Sequence, residues 1–446
     1  MSENAGHRAS MLIAFRAENV RSFCDELELS MLATPRAERR VVREVGWREG
    51  GTPLKLLPVA AIYGANASGK SNVLQAMDDM QTYVTQSFRW SPTGDLPRWP
   101  FRLDPSVAER PSRYEIDIVV SGVRHEYGFV VDDQRVLEEW ALRYPKGRAS
   151  LLFRREGDAV EVGSAARTQT RAVTKLLRPN ALFLSTAASA NHPLLLPLYA
   201  WFQRNLMLAG AGSRPIRQAF TAKLLEEALH RERVLALLRA ADLGVMDATV
   251  REPDPAVQDR IQRAARILMG QEDKPHENDA QPLAIFDDIV LRHTGAGGNV
   301  ELDSAEESLG TLVWLGLVGP VVHALAQGSV LLADELDGSL HPDLVAQLVQ
   351  LFQQKQTNPH RAQLVFNTHD TTLLGDVSGQ RLLGRDQVWF TEKLHDGRTR
   401  LYPLTDLDPR KHEAVGRRYL AGRYGARPIL SSGEFDRLGE LIGSEA

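Results

Sequence analysis

The sequence predicts an α/β fold with a mixed sheet and a helical insertion, and three stretches carry that prediction. LLPVAAIY (56–63) is an unbroken apolar run, as expected of a strand covered on both faces. It leads into Gly-rich GANASGKS (64–71) and then into SNVLQAMDDMQTYV, which has helical periodicity. SVLLADELD (329–337) is a second apolar strand, ending in acids, and AQLVFNTHD (362–370) is a third, ending in a histidine. Helical segments at 308–328 and 342–354 separate these strands, the alternation of an α/β core.

The other elements follow in order. Residues 1–10 read as a loose tail. MLIAFRAENVRSF and DELELSML alternate apolar and polar residues like half-buried strands, with a hairpin at AENVRSFCD. Residues 35–52 are Arg-rich and polar, and 88–112 are rich in Arg, Pro and Trp; both read as loops. Residues 113–144 hold several strands with a turn at Ser121-Gly122. From about 155 the pattern becomes helical, with amphipathic segments at 221–243 and 256–270. Strands resume at 284–294 and 298–303, and QVWFTEK and RTRLYPL form a last hairpin. The domain reading is an N-terminal lobe at 11–150, a mainly helical insertion at 151–280, a C-terminal lobe at 281–404 and a basic tail at 405–446.

The bulk numbers narrow the class. The chain has 446 residues, enough for a large core, and its 43% hydrophobic and 25% charged residues are ordinary for a globular protein. A net charge of −4 provides no global basic field for nucleic acid, although a local patch could. A single cysteine, Cys24, excludes a disulfide framework or multi-cysteine zinc site within one chain. The longest apolar run, Leu309 to Ala326, is broken by Gly, Pro and His and reads as a buried helix. The N-terminus lacks a signal-peptide pattern. A cytoplasmic location without membrane attachment is the expectation.

Strand, Gly-rich loop and helix together make a phosphate-binding loop, as in P-loop NTPases. Gly64, Asn66, Ser68 and Gly69 form the cradle and Asn72 opens the helix, so backbone N–H groups and the helix N-terminus face phosphate. Lys70 is expected to reach the β- and γ-phosphates of ATP, and the Ser71 hydroxyl to hold Mg²⁺. Asp334 would hold the same ion through water, and Glu335 would polarise the attacking water. Ser308-Leu309-Gly310 opens a helix 26 residues before Asp334, where Ser308 is also suited to be an ordinary N-cap. His369 follows Glu335 by 34 residues, with LDGSLHP and its Asp337 between them.

This order resembles that of ABC-type ATPase heads: phosphate loop, signature, acidic strand end, D-loop, switch histidine. Ras-like GTPases and kinases lack it, and RecA-type helicases lack the signature and the histidine. LIAFRAENVRSF, AAIYGANASGKSNVLQAM, ESLGT, LLADELDGSLHP, FNTHDTTLL and YLAGRYGARP further resemble the OLD/RecF/SMC-related ATPases of phage-defence operons, the AbiL/RloA-like branch. The resemblance covers both ends of the chain and fades across 150–280. It implies a head-to-tail homodimer closed by ATP, with Lys70, Ser71, Asp334, Glu335 and His369 in one half-site. Ser308 and Gly310 would complete the other, with Asp337 facing the partner. No Q-loop glutamine is evident, because Gln86 falls too early; RWPFRLD (98–104) lies at about the right place. The 77 residues after His369 are fewer than a typical domain, unlike OLD-type nucleases, so the resemblance implies a separately encoded effector such as a nuclease or toxin.

Three functions follow as expectations: the ATPase of an antiphage system, a RecF-like DNA-repair ATPase, and an ATP-locked scaffold that cages a toxin with little turnover. FRWSPTGDLPRWPFRLD and the tail arginines Arg417, Arg418, Arg423 and Arg427 could hold DNA, RNA or a protein. Core packing of the aromatic residues is the plainer reading of the first segment, and a structural or docking role that of the second.

Overall fold

The computed structural model describes residues 10–48, 50–163, 170, 173–251, 288–377, 380–410 and 413–428, with 433 and 437. The expected helix at 256–270 and most of the tail beyond 428 lie outside these residues. In chain order the N-terminal half comprises β1 (Met11–Glu18), β2 (Leu27–Ser30), β3 (Arg43–Val45), β4 (Leu54–Leu56), β5 (Val59–Gly64), α1 (Lys70–Gln86), α2 (Pro105–Ala108), β6 (Ser112–Val120), β7 (Val123–Val131), β8 (Val136–Arg143), β9 (Ser150–Glu156) and β10 (Ala159–Val162). Then come α3 (Phe183–Ser189), α4 (Leu196–Asn205), β11 (Leu206–Ala209), α5 (Arg214–Glu226), α6 (Ala228–Ala240), β12 (Val245–Arg251), β13 (Asp288–Gly295) and β14 (Gly298–Leu302). The chain continues with α7 (Leu309–Gln327), β15 (Val330–Ala333), α8 (Pro342–Gln353), β16 (Gln363–Asn367), the short pair β17 (Asp376–Val377) and β18 (Gln380–Arg381), β19 (Val388–Lys393), β20 (Thr399–Pro403) and α9 (Val415–Leu420).

The central sheet has the order β11-β15-β16-β5-β19-β20 and is parallel except for the β19–β20 hairpin. Every residue of β5, β15 and β16 is buried, which is why these strands read as continuous apolar runs. Because the three strands are parallel and adjacent, the phosphate loop, the acidic pair and Asn-Thr-His all emerge at one edge. An antiparallel sheet, β10-β9-β8-β7-β6-β1-β2, supplies the second layer. Its inner residues Phe15, Ile116, Tyr127 and Phe129 share a core with Leu74, Met77, Met80 and Tyr83 of α1. On the other side of the central sheet, Leu331, Phe366 and Tyr63 pack with Trp314 and Val318 of α7 and Leu348 of α8.

Three expectations need correction. The described residues of 151–280 are more mixed than a helical block: β9 and β10 extend the antiparallel sheet, β11 joins the central sheet beside β15, and β12 pairs with β13. LMLA in β11 is too short to show strand periodicity, and its pairing with β15 decides its conformation. The 35–52 loop contains β3, which pairs with β4. The 88–112 loop contains the one-turn α2, started by Asp104, whose side chain accepts from Ser106 N.

Helix α7 is long and apolar enough by composition to cross a membrane, but Trp314, Leu315, Val318 and Val321 are buried here among neighbouring helices. Pro320 lies inside it and cannot donate a helical hydrogen bond. Thr221 of α5 inserts at this turn: its Oγ1 lies 2.8 Å from Leu315 O and accepts from Gly319 N at 3.1 Å. The tail docks by aromatic packing. Tyr419 lies 5.8 Å from Tyr63 and 5.4 Å from Phe390, so α9 covers the strand that carries the phosphate loop.

A buried Glu139 fastens α3 to β8. It accepts from Tyr127 OH at 3.0 Å and from the backbone N–H groups of Phe183 and Leu184. Burial pushes its carboxyl pKa up, and the fully buried Arg155, 3.9 Å away, pulls the other way. Glu139→Ala is expected to strand Arg155 and two helix N–H groups and to cost on the order of 3–5 kcal/mol, read as a shift in denaturant midpoint.

Candidate functional site

A cavity of about 900 Å³ opens at the C-terminal edge of the central sheet, bordered by the phosphate loop, Glu335, Asn367, His369 and the 99–103 segment. The loop's shape is set by contacts that leave no room for side chains. A Cβ on Gly64 would lie 2.4 Å from Thr391 Oγ1, and one on Gly69 would lie 2.4 Å from Thr399 Oγ1. Gly69 has φ +99 and precedes the helix without a side-chain cap, so the first N–H groups of a 17-residue helix are left for an anion. Lys70 Nζ donates to Gly64 O and Ala65 O, both at 2.9 Å.

Ser71 Oγ donates to Asp334 Oδ1 at 2.7 Å, bringing a hydroxyl and a carboxylate from sequence-distant segments together. Asn367 Nδ2 reaches both Asp334 Oδ1 and Ser71 Oγ, and Asn367 Oδ1 accepts from Glu335 N. Glu335 has φ +53, a left-handed conformation uncommon for a side-chain-bearing residue. Asp337 accepts from His369 N at 3.1 Å, joining the segment after the acids to the segment after β16.

The described residues contain no cluster of three or more His, Cys, Asp or Glu that could form an all-protein metal cage. The hard-oxygen pair Ser71 and Asp334 beside a phosphate cradle instead suits Mg²⁺, which binds through few protein ligands and completes its shell with water and phosphate oxygens. Burial pushes the Lys70 ammonium down to about 8, against the pull of Asp337, Glu335 and Asp334. Partial burial and then the charge of Lys70 hold the His369 imidazole below its ordinary range, opposed by Asp337 and Glu335.

Residues 59–375 match the family described as "AAA domain, putative AbiEii toxin, Type IV TA system". The chain belongs to this family. Its parallel central sheet, with a phosphate loop leading from β5 into α1, is the α/β arrangement of a P-loop NTPase. Similar solved structures include the SMC head domain from Thermotoga maritima (13% identity, 88% of this chain, 98% of that chain, TM-score 0.35). Others are the Smc head domain of Pyrococcus furiosus with an extended coiled coil, bound to the C-terminal domain of ScpA (12%, 90% and 98%, TM-score 0.38), and the recombination mediator RecF with ATP (14%, 90% and 100%, TM-score 0.34). No curated protein matches the chain.

In this AAA-family chain the expected residues take different positions. Asn66, Gly69, Lys70, Ser71, Asn72, Glu335 and His369 border the one cavity, with Asp334 hydrogen-bonded to Ser71. Ser68 is buried and its hydroxyl meets Thr391 Oγ1 at 2.7 Å, so its side chain braces the loop instead of facing the cavity. Ser308 and Gly310 do not border the cavity: Ser308 caps α7 by accepting from Thr311 N, and a Cβ on Gly310 would meet Ser339 O at 3.0 Å.

Several contributors escaped sequence reasoning. Arg21 and Ser22 border the cavity from the β1–β2 turn. Arg21 is clamped to Asp79 of α1 by two hydrogen bonds of 2.6 and 2.7 Å and lies over the Trp99 ring at 5.1 Å. Burial raises the Asp79 carboxyl to about 6 despite this arginine. Ser22 Oγ accepts from Asn72 Nδ2 at 2.7 Å and from Thr399 Oγ1 at 2.8 Å. The sequence marked this turn as the hairpin AENVRSFCD but not its approach to the phosphate loop, which depends on distant neighbours.

Lys70 yields a pH prediction. A polyphosphate favours the ammonium form, so above pH about 8 the free protein must take up a proton to bind. Nucleotide affinity measured by titration calorimetry is expected to be flat below that pH and to fall toward roughly tenfold per unit above it. Affinity constant to about pH 10 would remove the Lys70 charge from phosphate contact.

Proposed function

We propose that this chain binds and hydrolyses ATP with Mg²⁺ and closes on a second copy of itself. In this reading it is the ATPase subunit of an abortive-infection defence system that controls a separately encoded effector. The observation that carries the ATPase reading is the meeting of Lys70, Ser71, Glu335 and His369 around one cavity, with Asp334 hydrogen-bonded to Ser71. Mg²⁺, when bound, would neutralise charge on the phosphate oxygens; Ser71 and Asp334 would hold it. Lys70 is placed to turn from the loop carbonyls to phosphate. Glu335 takes the proton of the attacking water, and His369 reaches the terminal phosphate from the neighbouring strand.

The position of Ser308 and Gly310 supports dimerisation. They lie outside the cavity of their own chain, with the exposed Leu309 beside them, and a helix N-terminus there suits phosphate held by another copy. The matching family's description names an AbiEii toxin, which supports a defence or toxin–antitoxin setting.

Glu335→Gln should retain ATP binding and lose hydrolysis by roughly 10²-fold or more in a phosphate-release assay. Full turnover would sink the assignment of Glu335 as base. Lys70→Ala should abolish nucleotide binding. With ATP, Glu335→Gln should run as a dimer by light scattering, and a further Ser308→Arg should return it to a monomer that still binds ATP. Persistence of that dimer would exclude Ser308 from the interface. Co-expression with neighbouring genes tests the effector: a copurifying product released on phage infection supports the defence reading, and DNA-stimulated, salt-sensitive turnover in its place supports a repair role.

A further inference from the structure

A second cavity, of about 740 Å³, lies at the opposite end of the central sheet, between the segment 34–44, Lys55 of β4 and the turn 355–361 that precedes β16. Arg39, Arg43, Lys55, Lys355 and Arg361 border it, against one acid, Glu44. Among the described residues none of these five cations has an ion-pair partner. Neighbouring arginines do: Arg36 pairs with Asp408 at 3.0 Å and Arg40 with Glu38 at 2.8 Å. The pairing is therefore selective, and the charge left over is concentrated in the cleft.

Arg43 is the strongest element. It is only 4% exposed, and its Nε has no hydrogen-bond partner among the described residues. Its Nη atoms donate to Arg40 O and Val42 O, each at 3.2 Å, and to Gln353 O, which fixes the guanidinium in place. Burial and then the charge of Arg361 push its pKa down, so an anion between the two would relieve both effects. The opposite wall is also held rigidly. Asn358 Nδ2 donates to Phe352 O and Ala362 O, both at 2.8 Å, and Asn358 Oδ1 accepts from Ala362 N at 2.7 Å. A buried cation without a counter-charge is costly, and fixed donors around a cleft lower the cost of taking an anion.

We infer that this cleft is a binding site for a compact anion carrying several phosphate groups. The lining has no aromatic ring, so nothing there would stack on a base, and recognition falls on the phosphates. The volume is that of a small-ligand pocket, not of a track for a nucleic-acid strand. Lysines and arginines suit phosphate oxygens through charge and forked donors. The site is separate from the nucleotide cavity, because Lys55 and Arg361 precede the strands whose far ends carry the phosphate loop and His369. It does not rest on the proposed ATPase function.

The test uses the full chain with Lys70→Ala, to weaken phosphate binding at the loop, and inorganic tripolyphosphate as the probe in titration calorimetry. One-to-one binding is expected, reduced by roughly tenfold or more in Lys55→Glu/Lys355→Glu, two exposed positions whose reversal should leave folding intact. Arg43→Gln should weaken binding similarly; its loss through misfolding would leave the lysine pair as the deciding variant. Equal affinity in the charge-reversed protein, or no binding by its parent, overturns the site. A short DNA duplex that depends on the same lysines and is not displaced by tripolyphosphate would make the occupant nucleic acid and overturn the compact-anion assignment.

Discussion

The side chain of Asn367 holds together the ends of three elements. Its amide donates to Asp334 and to Ser71, and its carbonyl oxygen accepts from the backbone of Glu335. It is buried at the end of β16, where both halves of a primary amide need partners. Meeting that need positions a carboxylate, a hydroxyl and the turn at Glu335 relative to one another. The unusual backbone of Glu335 is then held by the same group that orients Asp334. The arrangement of the proposed catalytic groups thus rests on the satisfaction of one buried polar side chain.

The sheet supplies the frame on which Asn367 acts. In parallel strands buried on both faces, a one-residue slip would move every side chain into the other, differently packed layer, so the ends of β5, β15 and β16 are held in register. Coverage comes from distant parts of the chain. Helix α1 and the antiparallel sheet close one side, while α7, α8 and the tail aromatics Tyr419 and Tyr424 close the other. The tail residues read in sequence as a basic cluster thus include aromatic anchors that pack behind the phosphate-loop strand, which supports a structural role for the segment.

Electrostatics divides the molecule into two unlike ends. At one, acids and Lys70 oppose one another around the cavity, and burial keeps Lys70 easier to deprotonate than a free lysine. At the other, cations accumulate around Arg43 with little acid to offset them. A net charge of −4 is a sum over the whole chain and conceals this separation. Total charge therefore said little about anion recognition.

The local chemistry was legible in the sequence. Continuous apolar runs marked the buried strands, Gly64 and Gly69 marked a loop where side chains do not fit, and the helical period marked α1, α7 and α8. Such signals depend on neighbours a few residues apart, which is why one chain suffices to read them. The tertiary structure decided what depends on distant neighbours. It made a strand of LMLA by pairing it with β15, turned Ser68 inward to Thr391 and brought Arg21 and Ser22 to the cavity. It also placed Ser308 and Gly310 away from the cavity of their own chain. Spacing along a chain specifies which residues share a local turn, but closure of sheets and helices around a core specifies which of them meet.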